Sequence, residues 1–187
     1  MTKEVYYFRP DSDRFDSLMI DAKDPLPALS ALHEGQDVDI RGLKFNYFAS
    51  ELKGDFPSLD LLVPVLSKRA WSALGALVSP FCRIYEVKIQ NEDFFALSVR
   101  HIVDCLDKNA SKLEYFKVPI LKDRILGVDE LALIDEKIDD SPIFRIREIE
   151  GLGVYLSGEF MAAVDAHKLK GLWREQVWPR PPRGKKR

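Results

Sequence analysis

The chain has 187 residues, 46% of them hydrophobic and 31% charged, so it can bury a core and wholesale disorder is excluded. Its two cysteines are too few to staple a chain of this size, and no apolar run approaches the roughly 18–20 residues that span a bilayer. The opening residues, Met1 to Phe8, lack the apolar stretch of a signal peptide, which predicts a reduced, cytoplasmic, soluble protein.

The formal net charge of −2 is unevenly spread. Residues 1–60 carry a net −5, residues 61–130 a net +1 and residues 131–178 a net −3, whereas residues 179–187 hold five bases and no acid. One domain is predicted over residues 1–178, with a variable part up to residue 60, followed by a flexible, basic, Pro-rich tail at 179–187. Such a tail can serve as an arm for nucleic acid or merely as a solubilising terminus. The acidic body repels phosphate, so nucleic acid is not expected as the main partner and a basic protein suits it better.

In chain order, Val5-Tyr6-Tyr7-Phe8 is rich in β-formers and stops at the turn-forming cluster Arg9 to Asp13. Asp24-Pro25-Leu26-Pro27 breaks the chain again. Leu43, Phe45 and Tyr47 alternate with polar neighbours along a predicted strand, and Gly54-Asp55-Phe56-Pro57 is a predicted loop. Ser67 is placed to N-cap a helix carrying Ala70, Trp71, Leu74, Leu77 and Val78 at spacings of three and four, with Ser79-Pro80 ending it. Residues 82–89 alternate, with Tyr85, Val87 and Ile89 on one face. The four polar residues Gln90 to Asp93 join them to a second strand over 94–103, and a connection that short implies an antiparallel hairpin. Asp107 to Ser111 closes that unit. Two β-like runs follow, at 131–134 and 142–146, joined by a segment carrying Asp135, Glu136, Asp139 and Asp140. Gly151-Leu152-Gly153 leads into a short strand and then Ser157, a second N-cap, with Glu159 in the first helical turn and Phe160, Ala163 and Val164 as its apolar stripe. Gly171 is the predicted C-cap and Leu172-Trp173 the terminal anchor, with Trp178 beyond. No internal repeat is evident. Strands outnumber helices and hairpin-length connections dominate, which predicts an α+β fold, an antiparallel sheet with a few packed helices.

Few patterns point to chemistry. The cysteines, at 82 and 105, and the histidines, at 33, 101 and 167, make neither a CxxC nor an HExxH spacing. No serine sits in a GxSxG elbow, and Gly151-Leu152-Gly153 is not followed by the third glycine of a dinucleotide loop. Both cysteines lie among apolar β-formers, where the usual role is a small buried hydrophobe. No catalytic residue, metal or cofactor is therefore predicted. Two acidic groups stand out, Asp11, Asp13 and Asp16 in one predicted exposed loop and Asp135, Glu136, Asp139 and Asp140 in another. Neither has the spacing of a calcium loop, and each could steer a basic protein partner.

From Val63 onward the order of features resembles a known family: Val63-Pro64-Val65-Leu66-Ser67-Lys68-Arg69 before a Trp-containing helix, Ile84-Tyr85-Glu86-Val87, Val103-Asp104-Cys105-Leu106-Asp107 with Ser111, Ile143-Phe144-Arg145-Ile146, Val154-Tyr155-Leu156-Ser157 before a helix, and Gly171-Leu172-Trp173. This is similar to an immunity-protein family of bacterial polymorphic toxin systems, over roughly residues 60–175. The resemblance implies a protein that binds a cognate toxin and blocks it by occlusion. It brings no catalytic residue with it; Ser67, Asp107, Ser111 and Gly171 match its pattern and are expected to cap helices and bind turns. Two alternatives stay open at this point, a small-molecule-binding or regulatory domain whose tail contacts nucleic acid, and an enzyme built from dispersed acids such as Glu86, Asp104 and Asp107.

Overall fold

A computed structural model describes residues 2–40, 43–49, 52–60 and 63–181. Among these residues the elements are β1 (Val5–Tyr7), β2 (Ser17–Asp21), α1 (Leu26–His33), β3 (Lys44–Ala49), β4 (Val65–Ser67), α2 (Lys68–Val78), β5 (Cys82–Ile89), β6 (Glu92–Val99), β7 (Ile102–Val103), β8 (Lys112–Tyr115), β9 (Ile125–Glu130), β10 (Ile143–Ile146), β11 (Tyr155–Ser157), α3 (Gly158–Ala166) and β12 (Glu175–Trp178). Strands outnumber helices in an α+β arrangement, as the sequence predicts.

The largest sheet has the order β12-β1-β11-β10-β7, all neighbours antiparallel except β10 and β7. A three-stranded sheet, β4-β6-β5, and two ribbons, β2-β3 and β8-β9, complete the strands. Helices α2 and α3 pack on each other over a core that includes Phe8, Phe56, Leu66, Leu74, Leu97 and Phe160. A second cluster joins Leu29 and Leu32 of α1 to Ile20, Phe45, Val87 and Ile89, and a third gathers Val103, Cys105, Phe144, Ile146 and Tyr155.

One local unit is used twice. In β4–α2 and in β11–α3 a three-residue strand ends in a serine whose hydroxyl accepts the N–H three residues on, Ser67 from Ala70 at 3.1 Å and Ser157 from Phe160 at 3.2 Å. Each serine satisfies one of the orphan donors of its helix and so sets where the helix begins. The alternation along β5 also holds, with Tyr85, Val87 and Ile89 buried and Glu86 and Lys88 outward.

Other expectations shift. The β5–β6 connection is only Gln90-Asn91, at φ 49° and 69°, the left-handed pair that a tight two-residue hairpin requires, so Glu92 and Asp93 belong to the strand. The predicted strand 94–103 breaks because the N–H groups of Arg100 and His101 both turn to the Phe81 carbonyl, at 2.9 and 3.3 Å. That releases Ile102 and Val103 to pair with β10 instead. Leu26-Pro27 begins a helix rather than a break, since proline is tolerated in the first turn, where its missing N–H costs nothing. The run 131–134 makes one bridge, Leu133 to Leu106, and no strand. Gly171 does not cap α3. The helix ends at Ala166, Lys168 takes the left-handed position at φ 52°, and the Leu169 N–H returns to the Val164 carbonyl at 3.0 Å. Gly171, at φ 94°, instead gives its carbonyl to the Asp11 N–H at 3.0 Å. Trp173 is half exposed, and the C-terminal anchoring falls to β12, which pairs with β1. Residues 182–187 of the basic tail lie outside the described residues.

Candidate interaction surface

The first acidic group is not an exposed face. Asp11 and Asp16 are each only 1% exposed, and Asp13 alone points to solvent. Asp11 closes a turn: its carbonyl accepts from the Phe15 N–H at 3.0 Å, and its carboxylate pairs with Arg14, whose Nε lies at 2.6 Å. The Arg14 guanidinium lies in turn over the rings of Phe15 and Trp173. The Asp16 carboxylate faces the Gly54 N–H at 3.4 Å, while its backbone bonds Leu52 and Ser58. These carboxylates are therefore structural clamps. Sequence spacing suggested a solvated run because their partners come from distant loops.

The second group does assemble on one edge. Asp135 opens a single 3-10 turn, Asp135–Lys137, and accepts from Trp178 Nε1 at 2.5 Å. Asp140 pairs with Lys3 at 2.8 Å, and the same Lys3 ammonium donates to the Ile138 carbonyl at 2.6 Å. Asp139 faces His101 Nε2 at 2.6 Å and accepts the Ser141 N–H at 3.0 Å as well as the Ser141 hydroxyl. Burial pushes the Asp139 carboxyl upward, but the bonds from Ser141 and His101 outweigh it and hold the group below its ordinary value. Glu136 is exposed. This edge sits where Val5 pairs with Trp178, whereas Asp11 lies beyond the Pro10–Leu172 bridge at the other end of the same ribbon. Six extended residues separate the ends, about 20 Å, so the two acidic groups do not form one face.

The remaining candidates are structural in their contacts. The Cys82 and Cys105 thiols are each pushed up to about 12 by desolvation, which leaves little thiolate at neutral pH. Asp107 binds the N–H groups of Asn109 and Ala110, both at 3.0 Å, and the Ser111 hydroxyl bridges to the Ala132 backbone, the turn-binding roles expected of both side chains. Asp104 lies 4.0 Å from Lys137, and Glu86 points outward from β5. Among the described residues no group of three or more His, Cys, Asp or Glu side chains could hold a metal ion, and no helix is long and apolar enough to cross a membrane.

Two features escaped the sequence reading. Asp55, only 6% exposed, is a hub: its carboxylate accepts from Ser67 Oγ at 3.0 Å, Arg69 Nη1 at 2.6 Å and the Lys170 N–H at 2.8 Å. The other is the β8–β9 hairpin. It pairs with no other strand, no residue from 111 to 131 in it is fully buried, and it roofs a cleft of about 830 Å³ lined by Lys108, Phe116, Lys122, Arg124, Glu148 and Glu150 among others. Tyr115, Val118, Ile120 and Leu126 are exposed along it. A cluster of large apolar side chains in water marks a surface made for contact.

A family model described as the immunity protein family (Imm11) matches residues 83–178, about half of the chain and the whole of this hairpin. No curated protein matches the chain.

Proposed function

The chain belongs to the immunity protein family (Imm11), and from that premise we propose that it neutralises a cognate bacterial toxin by binding it stoichiometrically and covering its working surface. The observation that carries this reading is the family match itself. The surface is consistent with it: the matched segment holds a hairpin with exposed apolar side chains and an acidic edge at Asp135, Glu136, Asp139 and Asp140. The protein works without turnover, in the cytoplasm of the producing cell, where the toxin is made or arrives. A stable complex would bury about 1,200–2,000 Å² in total, with a few well-packed side chains supplying most of the affinity.

The test is co-expression with a candidate cognate toxin, followed by calorimetry on the purified pair. A one-to-one complex together with rescue of growth is the expected result. Neither binding nor rescue would sink the reading.

A further inference from the structure

We propose that the tip of the β8–β9 hairpin is the element that docks on the toxin, and that the toxin surface it meets is apolar at its centre and acidic around it. This inference rests on the immunity reading and names the partner surface of that function.

The tip runs from Phe116 to Arg124 between β8 and β9, closed by the Phe116 N–H to the Arg124 carbonyl at 3.2 Å and braced by a 3-10 turn, Pro119–Leu121. Ile120 is 88% exposed and Val118 53%, more than a solvent-facing tip requires of β-branched side chains in a 187-residue chain with polar residues to spare. The same segment carries Lys117, Lys122 and Arg124 against the single acid Asp123, with Lys122 and Arg124 on the cleft that Glu148 and Glu150 also line. Among the described residues none of these three cations makes an ion pair, whereas Lys108 and Lys112 at the hairpin's base are paired with Glu148 and Asp129. The base is neutralised within the protein and the tip is not. Unpaired cations beside exposed apolar side chains complement a partner of opposite charge.

The acidic edge reads the other way. Asp135, Asp139 and Asp140 are held by Trp178, His101 and Lys3, so these carboxylates are already fixed in contacts within the protein, whereas the cations of the tip are not. The chain's own tail is ruled out as the occupant, since Arg180 lies at the base of β9, paired with Glu130, and the six residues after Pro181 carry four further cations. Nucleic acid is disfavoured because aliphatic side chains such as Val118, Ile120 and Leu126 offer nothing to phosphate and little to stack on.

The test uses the full chain and the toxin that the co-expression experiment identifies, with association and dissociation followed separately at low and moderate salt. Reversing the tip charges (K117E, K122E and R124E together) is expected to slow association about tenfold at low salt, with the gap closing as salt rises. V118S with I120S is expected to speed dissociation by tenfold or more and to abolish growth rescue. F48S, at an exposed apolar residue on the β2–β3 ribbon, is the control and should change neither. Circular dichroism reports that the variants keep their fold. Hydrogen exchange on the wild-type complex, which needs no variant, should show protection across residues 115–126. Folded tip variants that bind and rescue like wild type overturn the inference while the immunity reading stands. So does protection elsewhere, or tighter binding to RNA than to the toxin. A wild-type chain that binds no toxin overturns both.

Discussion

The contacts of Asp55 make a stability prediction that can be worked through. Its carboxylate takes three hydrogen bonds, from the Ser67 hydroxyl, the Arg69 guanidinium and the Lys170 N–H, and its own backbone exchanges two more, with Ser67 and Lys170, at 2.9 and 2.8 Å. The loop 54–57 is thereby tied both to the first turn of α2 and to the segment after α3. Asp55→Ala removes the three side-chain bonds and leaves the Ser67 hydroxyl and the Lys170 N–H to the water of the cleft they line. A bond to a charged group contributes about 1.5–3 kcal/mol, and the low end applies to the Ser67 and Lys170 bonds because both donors can turn to water. The Arg69 pair is discounted because its side chain is 55% exposed. Together these come to about 3 kcal/mol, which for a chain of this size lowers Tm by about 6–12 °C.

Urea unfolding followed by far-UV circular dichroism measures the loss directly. A second variant, Ser67→Ala, removes both the helix cap and one Asp55 contact, for about 1–2 kcal/mol. Because the two share a bond, the double variant should lose about 1 kcal/mol less than the singles added together. A loss below about 0.5 kcal/mol for Asp55→Ala, or strict additivity in the cycle, would refute the assignment of Asp55 as a hub.

Three other perturbations follow from the same geometry. A Cβ at Gly153, which sits at φ 149°, would stand 2.4 Å from the Tyr7 ring, so Gly153→Ala should cost about 2–4 kcal/mol, and adding Tyr7→Ala should remove the clash but not the backbone strain; thermal melts of the three variants decide it. The folded Asp139 carboxyl sits below its unfolded value, so its contribution is complete above about pH 4 and is lost as pH falls through the lower folded value. Asp139→Asn should therefore flatten the acid limb of a stability–pH curve, and parallel curves for the two proteins would contradict the ionic contacts with Ser141 and His101. Both thiols, pushed up to about 12, should react slowly with an aromatic disulfide reagent at pH 8 in the folded protein and rapidly once it is unfolded; equal rates in the two states would count against their burial.

What the sequence disclosed and what it concealed divide along the range of the contacts. Ser67, Ser157 and Asp107 bond groups two or three residues away, and each was legible. So was β5, because one of its faces is buried and the other is not, which writes a period of two into the residues. The β8–β9 hairpin left no such mark, since none of its residues is fully buried and only Ile125 and Val128 pack partly on the core. Helix α1 was hidden by Pro25 and Pro27, which read as breakers until the first-turn position is known. At the candidate surface the acidic run at 135–140 was visible as composition, but its partners Lys3, His101 and Trp178 lie 38 or more residues away. Asp11 and Asp16 failed for the same reason. An aspartate in a turn-forming segment looks solvated unless the loop that buries it is already in place.

The family match begins at residue 83, yet the fold does not. β1 lies inside the main sheet, between β11 and β12, both of which belong to the matched segment. The Phe8 N–H bonds the Val154 carbonyl at 2.9 Å, the Glu4 carbonyl takes the Gly158 N–H at 3.0 Å at the start of α3, and the Tyr7 hydroxyl donates to the Leu152 carbonyl at 2.8 Å. Residues expected to form a variable N-terminal part thus supply the strand that joins two pieces of the family segment. Without them β11 and β12 would present unpaired edges, and Phe160 would lose Phe56 from its cluster. A fragment spanning residues 61–187 should therefore show no cooperative unfolding transition and should aggregate at micromolar concentration, while the full chain melts in one step. If the fragment melts cooperatively and still protects cells from the toxin, β1 is an accessory strand, and the matched segment carries both fold and immunity alone.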